Sequence, residues 1–192
     1  MNPSLTVFLI GARGTGKSTV GRAVADRLGW NFVDADECIE GAAGKTIAEI
    51  FAAEGEAGFR DREANVLAEL CRREKHVLAT GGGVVLRPAN RELLKASGFV
   101  AWLTASPEAA FARLQSDPTT ASRRPKLTAQ GGIEEVRTLM AAREPLYREC
   151  VDFTIATDAL SPEAVASAIL SAWNSGSKAP PSSGASSSSS SA

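Results

Sequence analysis

The chain has 192 residues, of which 44% are apolar and 22% charged, and its formal net charge is −1. That profile fits one globular domain with a sizeable core and a tail, and it excludes the basic footprint of a nucleic-acid binder. No apolar run is long enough to cross a bilayer, the first residues do not read as a signal peptide, and Cys38, Cys71 and Cys150 show no metal-ligand spacing. These features predict a cytoplasmic protein with reduced thiols that meets neither nucleic acid nor membrane.

The first β-rich run, TVFLI (6–10), leads directly into GARGTGKST. Gly11, Gly16, Lys17 and Ser18 fit the spacing G-x-x-x-x-G-K-[ST] of a phosphate-binding loop, and helical periodicity begins at 17 and runs to 28. Glycines let the backbone curl around an anion with its N–H groups inward, and the helix N-terminus adds a positive dipole end. Gly14, Thr15, Gly16, Lys17, Ser18 and Thr19 are therefore the expected ATP contacts. Lys17 is expected to bridge the β- and γ-phosphates, and the Ser18 hydroxyl to ligate Mg²⁺.

A second strand is expected over 31–35, ending in VDADE. Asp34 and Asp36 sit at its carboxyl end, where one can support magnesium and the other take a hydrogen bond from an attacking hydroxyl. An Asp here can equally cap a helix. Residues 36–59 carry the signal of a small inserted helical region, with helical stretches at 47–53 and 57–74. Within the second, Arg60 has Glu56 four residues before it and Glu63 three after, so an exposed, salt-bridged face is one reading.

The third strand, 76–80, ends in TGGG, where Gly81, Gly82 and Gly83 allow a ligand or phosphate to approach the backbone closely; a plain turn is the alternative. His76, the only histidine, precedes this strand away from every motif and reads as structural, which leaves a carboxylate, or no base at all. A helix at 89–96, a strand at 99–103 and a helix at 107–114 follow. The turn-rich DPTTASRRPKLT (117–128) suits a mobile lid, in which Arg124 either faces a transferring phosphate or is only solvated charge. A helix over 133–147 carries Arg143 beside Glu144, and a strand at 152–156 and a helix at 162–173 complete the pattern. Apolar strands separated by helices argue for a parallel sheet covered on both faces, with ligands at the strands' carboxyl ends. The Ser/Gly/Pro-rich 174–192 has too little apolar content to order itself.

Taken in order, GARGTGKST, FVDADECIE, GEAGFRDRE, VLATGGGVVL, RRPKLT and REPLYRE resemble bacterial shikimate kinase over roughly residues 5–173. The resemblance implies a P-loop, nucleoside-monophosphate-kinase-like α/β/α fold with a five-stranded parallel sheet of order 2-3-1-4-5. Its domain would span 1–174, with a substrate-binding region near 34–62, a lid near 114–128 and a tail at 175–192. It implies a monomer that uses ATP and Mg²⁺ to convert shikimate to shikimate 3-phosphate, on the way to aromatic amino acids. It assigns Asp36 to the shikimate hydroxyls and the base role, and Asp34 with Ser18 to Mg²⁺. Arg60 and Arg143 would grip the shikimate carboxylate, and Gly82 with its neighbours would offer backbone to the substrate. Arg124 would reach the ATP phosphates, with Lys17 and Asp36 as its catalytic partners, and Arg113 would lie near the adenine. The chain departs from the family's common R-P-L-L after the lid arginine, having Lys126 in third place, and Arg123 stands beside Arg124 as a rival for its role. The rival functions are a ligand-sensing module without turnover and a kinase for another acceptor such as gluconate. A GTPase is disfavoured because no N-K-x-D motif is present.

Overall fold

The protein is described from a computed structural model that covers residues 6–116 and 132–176. The lid sequence at 117–128, with Arg123 and Arg124, and the tail beyond 176 lie outside the described residues.

Five strands, β1 (Thr6–Ile10), β2 (Asn31–Asp34), β3 (His76–Ala79), β4 (Phe99–Thr104) and β5 (Phe153–Ala156), form one sheet of order β2-β3-β1-β4-β5. Every pairing is parallel, in the order the resemblance implies. The strand period of two decides how the layers pack. Val7 and Leu9 of β1 face α1 (Lys17–Leu28) and α7 (Pro162–Asn174), meeting Val20, Val24, Val165 and Ile169. Phe8 and Ile10 face the other way, into a core with Leu67, Leu94 and Tyr147. Those three come from α3 (Ile47–Leu70), α4 (Pro88–Ser97) and α6 (Ile133–Arg148). α5 (Pro107–Ser116) follows β4.

The inserted region is built from α2 (Ala35–Ala43) and the first half of α3. Thr46 and Glu49 form a capping box at the start of α3, each satisfying a backbone N–H of the other. The two helical stretches expected at 47–53 and 57–74 are one span broken at Gly55, where φ is 68° and ψ −173°. The second stretch stops at Leu70 rather than 74, because the chain must turn back toward β3, with Lys75 at φ 54°. The insert has a small core of its own, in which Ile39, Ile47, Ile50 and Phe59 are buried and Phe51 stacks on Phe59 at 4.6 Å.

Candidate active site

At the end of β1 the chain bends through the phosphate loop into α1. Gly16 is the N-cap residue, with φ 87° and no side-chain cap, so the first-turn N–H groups of α1 are left for an anion. Gly14 has φ 79°, and a Cβ there would collide with the Ala110 carbonyl of α5. Lys17 Nζ donates to the carbonyls of Gly11 at 2.9 Å and Ala12 at 2.7 Å, holding the ammonium over the loop. Thr15 is fully buried, and its hydroxyl donates to the Ala12 carbonyl at 2.9 Å.

Asp34, at the end of β2, caps the helix that follows, one of the two readings that the sequence leaves open. Its Oδ1 accepts from the Asp36 N–H at 3.0 Å and caps α2, while its Oδ2 accepts from Ser18 Oγ at 2.9 Å. A hydroxyl and a carboxylate thus meet beside the loop. Asp36 lies in the first turn of α2, directed by the same cap onto the same cavity wall.

The glycine turn after β3 is tied to the sheet through Thr80, whose N–H and hydroxyl both donate to the Leu9 carbonyl at 3.1 Å. None of Gly81, Gly82 and Gly83 takes a positive φ. What they require is space. A Cβ on Gly82 would sit 3.4 Å from the Gly11 carbonyl and 3.6 Å from Ala12 Cα, so this turn lies against the phosphate loop. A Cβ on Gly83 would run into the guanidinium of Arg60.

Arg60 is not the exposed surface residue its Glu neighbours suggest. It is 7% exposed, and its Nη1 pairs at 2.7 Å with Glu63, itself 2% exposed; the Glu56 contact, at 3.3 Å, is at the surface. Its buried Nε makes no hydrogen bond among the described residues, a donor left over in a pocket otherwise closed by charge. Arg143 Nη1 donates to the Gly82 carbonyl at 3.2 Å, and the neighbouring Glu144 binds Arg148 at 2.6 Å. Two arginines 83 positions apart in sequence thus converge on one glycine turn.

A cavity of about 530 Å³ lies over these elements, walled by Lys17, Ser18, Asp34, Asp36, Gly82 and Arg113, among others. Gly14, Gly16, Thr19 and Gly81 also reach it. Thr15, Arg60, Gly83 and Arg143 do not. The two arginines stand directly behind the turn, Arg60 drawn inward by Glu63 and Arg143 drawn onto the Gly82 carbonyl. Arg113 is held by the Gly14 carbonyl at 3.3 Å and by the hydroxyl and carbonyl of Thr157, each at 2.9 Å. His76 is buried at the start of β3, as a structural residue should be.

Three residues of the site escape the sequence reading. Tyr147 is buried and its hydroxyl donates to the Gly82 carbonyl at 2.6 Å; the available signal was its place four residues after Arg143 on one helical face. Glu63 was visible as a partner of Arg60, but not its burial. Thr157 gave no local signal.

Comparison with known proteins then decides the family. The family model described as shikimate kinase matches residues 13–174. A shikimate kinase of Rhodopirellula baltica is 48% identical over 166 residues, covering 86% of this chain and 89% of that protein. One from Burkholderia lata is 49% identical over 156 residues, covering 81% of this chain and 83% of its own length. The chain belongs to the shikimate kinase family.

Solved structures agree. Shikimate kinase from Acinetobacter baumannii in complex with shikimate superposes with a TM-score of 0.84 at 40% identity, over 90% of this chain and 94% of that one. A gluconokinase from Sinorhizobium meliloti has a TM-score of 0.54 at 17% identity, covering 91% of this chain and 94% of that one, which shows a shared fold and no more. Within the shikimate kinase family, the chain is an ATP-using P-loop phosphotransferase. Among the described residues no helix is long and apolar enough to cross a membrane, and no cluster of three or more His, Cys, Asp or Glu could hold a metal ion.

Proposed function

We propose that Asp36, Arg60, Arg143 and the Gly81–Gly83 turn form the acceptor site, and the phosphate loop the donor site, of a kinase that phosphorylates the 3-hydroxyl of shikimate. The activity is that of the family, ATP-dependent phosphorylation of shikimate in the pathway to aromatic amino acids. The observation that carries the residue assignment is the convergence of Arg60 on Gly83 and Arg143 on Gly82, with Gly82 against the phosphate loop. A small polyhydroxylated acid needs cations at its carboxylate and a carboxylate near its reacting hydroxyl. The guanidinium fork suits the first, and Asp36 supplies the second.

In this reading Asp36 orients the 3-hydroxyl and accepts its proton as the oxygen attacks the γ-phosphorus and the bond to the β–γ bridging oxygen breaks. Because the transition state is loose, orientation contributes more than base strength. Lys17 and the N–H groups of Gly16 to Thr19 hold the phosphates, with Gly14 and the Thr15 backbone completing the loop. Arg113 borders the nucleotide, and the ATP phosphates are assigned Arg124 as a further contact. Ser18 and Asp34 would hold Mg²⁺: hydroxyl and carboxylate oxygens suit a hard cation, and two protein donors leave positions for phosphate and water. When bound, the ion offsets the charge developing between β- and γ-phosphates. The protein works in the cytoplasm as a monomer.

Kinetics of Arg143→Ala and Asp36→Asn separate the two roles. Arg143→Ala is expected to raise the shikimate KM by at least tenfold, roughly the loss of one charge-assisted contact, and to spare the ATP KM. Asp36→Asn is expected to act mainly on kcat. An unchanged shikimate KM in Arg143→Ala would place the carboxylate elsewhere.

A further inference from the structure

Tyr147 does not itself line the cavity over the phosphate loop, yet both its ring and its hydroxyl are held. Its ring stacks on Trp102 with centroids 5.4 Å apart and planes at 25°. Trp102 belongs to β4 and pairs in register with Ile10, the last residue before the phosphate loop. The hydroxyl then reaches out of this clamp to the Gly82 carbonyl at 2.6 Å. Sheet, Trp102, Tyr147 and glycine turn form one continuous line of contact.

The same carbonyl also accepts from Arg143, one helical turn earlier. A carbonyl oxygen has two lone pairs, and here both find a donor. When Arg143 turns to a substrate carboxylate, this bond from its Nη1 is the one it gives up. A buried carbonyl stripped of every donor would resist that movement. With Tyr147 still bonded, the carbonyl stays satisfied and the turn stays where it was.

We propose that Tyr147 is a positioning residue for the acceptor end of the site: its hydroxyl fixes the Gly82 carbonyl, and so the glycine turn, while Arg143 swings from that carbonyl to the acceptor's carboxylate. The proposal rests on the reading of Arg143 as a carboxylate contact. Burial pushes the phenol up to about 12, with Arg143 opposing that shift in part, so the hydroxyl remains a donor across any working pH.

The test is steady-state kinetics of Tyr147→Phe, Arg143→Ala and the double variant, with shikimate and ATP varied separately and melting curves for each. Tyr147→Phe removes only the hydroxyl. It is expected to raise the shikimate KM about tenfold, the scale of one buried hydrogen bond, with the ATP KM within about twofold and the melting temperature little changed. The double variant is expected to have a higher shikimate KM than Arg143→Ala alone, because the Gly82 carbonyl then has neither donor. An unchanged shikimate KM in Tyr147→Phe overturns the proposal, as does an equal rise in both KM values, or a double variant no worse than Arg143→Ala. A normal shikimate KM in Arg143→Ala would instead overturn the underlying carboxylate reading. Should Tyr147→Phe not fold, Trp102→Leu loosens the same ring and leaves the hydroxyl present. It is then expected to give a smaller rise in the same constant, and none would count against the proposal.

Discussion

Ser18 Oγ donates to Asp34 Oδ2 across 2.9 Å, joining the first turn of α1 to the end of β2, while the other oxygen of the same carboxylate caps α2 and sets the direction of Asp36. One side chain therefore couples the corner proposed for the cation to Asp36, the residue proposed for the acceptor hydroxyl. Its two oxygens have separable consequences.

Asp34→Asn keeps an oxygen for the cap and removes the charge. The Mg²⁺ concentration for half-maximal turnover should rise at least tenfold with little change in melting temperature, because the cap survives. Asp34→Ala should show the same cation defect and lose roughly 1 kcal/mol of stability as well. A Mg²⁺ titration beside a melting curve checks both, and an unaltered Mg²⁺ requirement in Asp34→Asn would remove Asp34 from the cation site.

The glycine turn makes a second contrast. Gly83→Ala forces a methyl group into the Arg60 guanidinium, which is buried and cannot move without loosening its Glu63 pair. Overpacking of this kind costs about 1–3 kcal/mol and should raise the shikimate KM by displacing Arg60. Gly82→Ala meets its nearest atom at 3.4 Å, an ordinary contact, and should be the milder of the two. Equal shikimate KM values for Gly83→Ala and the wild type would show that Arg60 does not serve the acceptor.

Phe59 anchors the small core of the insert and precedes Arg60 directly. Phe59→Ala should cost about 3–5 kcal/mol in a chemical-denaturation curve, the range for a large buried aromatic. A loss below about 1 kcal/mol would mean that the insert is not held by this cluster.

His76 is buried, and burial holds its imidazole below the ordinary histidine range, partly opposed by the nearby Glu74 backbone. A lowered folded-state value means that the unfolded chain binds the proton more tightly. Stability from this group is thus fully present above the unfolded value of about 6.5 and is lost as pH falls below it toward the folded value. Melting temperatures from pH 7.5 down to 5.5 should fall, and the fall should be shallower in His76→Phe. Identical slopes for the two proteins would remove His76 as the cause.

Most of the framework was legible in the sequence because it is set by local chemistry. The strand TVFLI, the glycine pattern after it and the helical period from Lys17 mark a phosphate loop without reference to anything distant. The acceptor side was not legible in this way. Arg60 has two Glu neighbours at helical spacing, which reads as a solvated face, and only tertiary packing reveals that Glu63 and Arg60 are both buried. Family resemblance, rather than periodicity, identified it. The glycine triplet reads in the sequence as room for a ligand or a turn, whereas Gly83 makes room for a guanidinium from α3, a reason that no local pattern contains. Asp34 is instructive in another way: cap and cation ligand stand as alternatives in the sequence, and because one oxygen caps α2 while the other meets the Ser18 hydroxyl, the cap leaves the proposed cation role open.

The central claim is that phosphoryl transfer here is directed to shikimate through Asp36, Arg60 and Arg143. It is tested most directly by coupled ADP release with MgATP in the presence of shikimate, quinate, gluconate or no acceptor. Strong turnover with shikimate, little with the others, and its loss in Arg143→Ala at subsaturating shikimate is the predicted result. ATP binding without turnover on any of these acceptors would contradict the account and point to a ligand-sensing module.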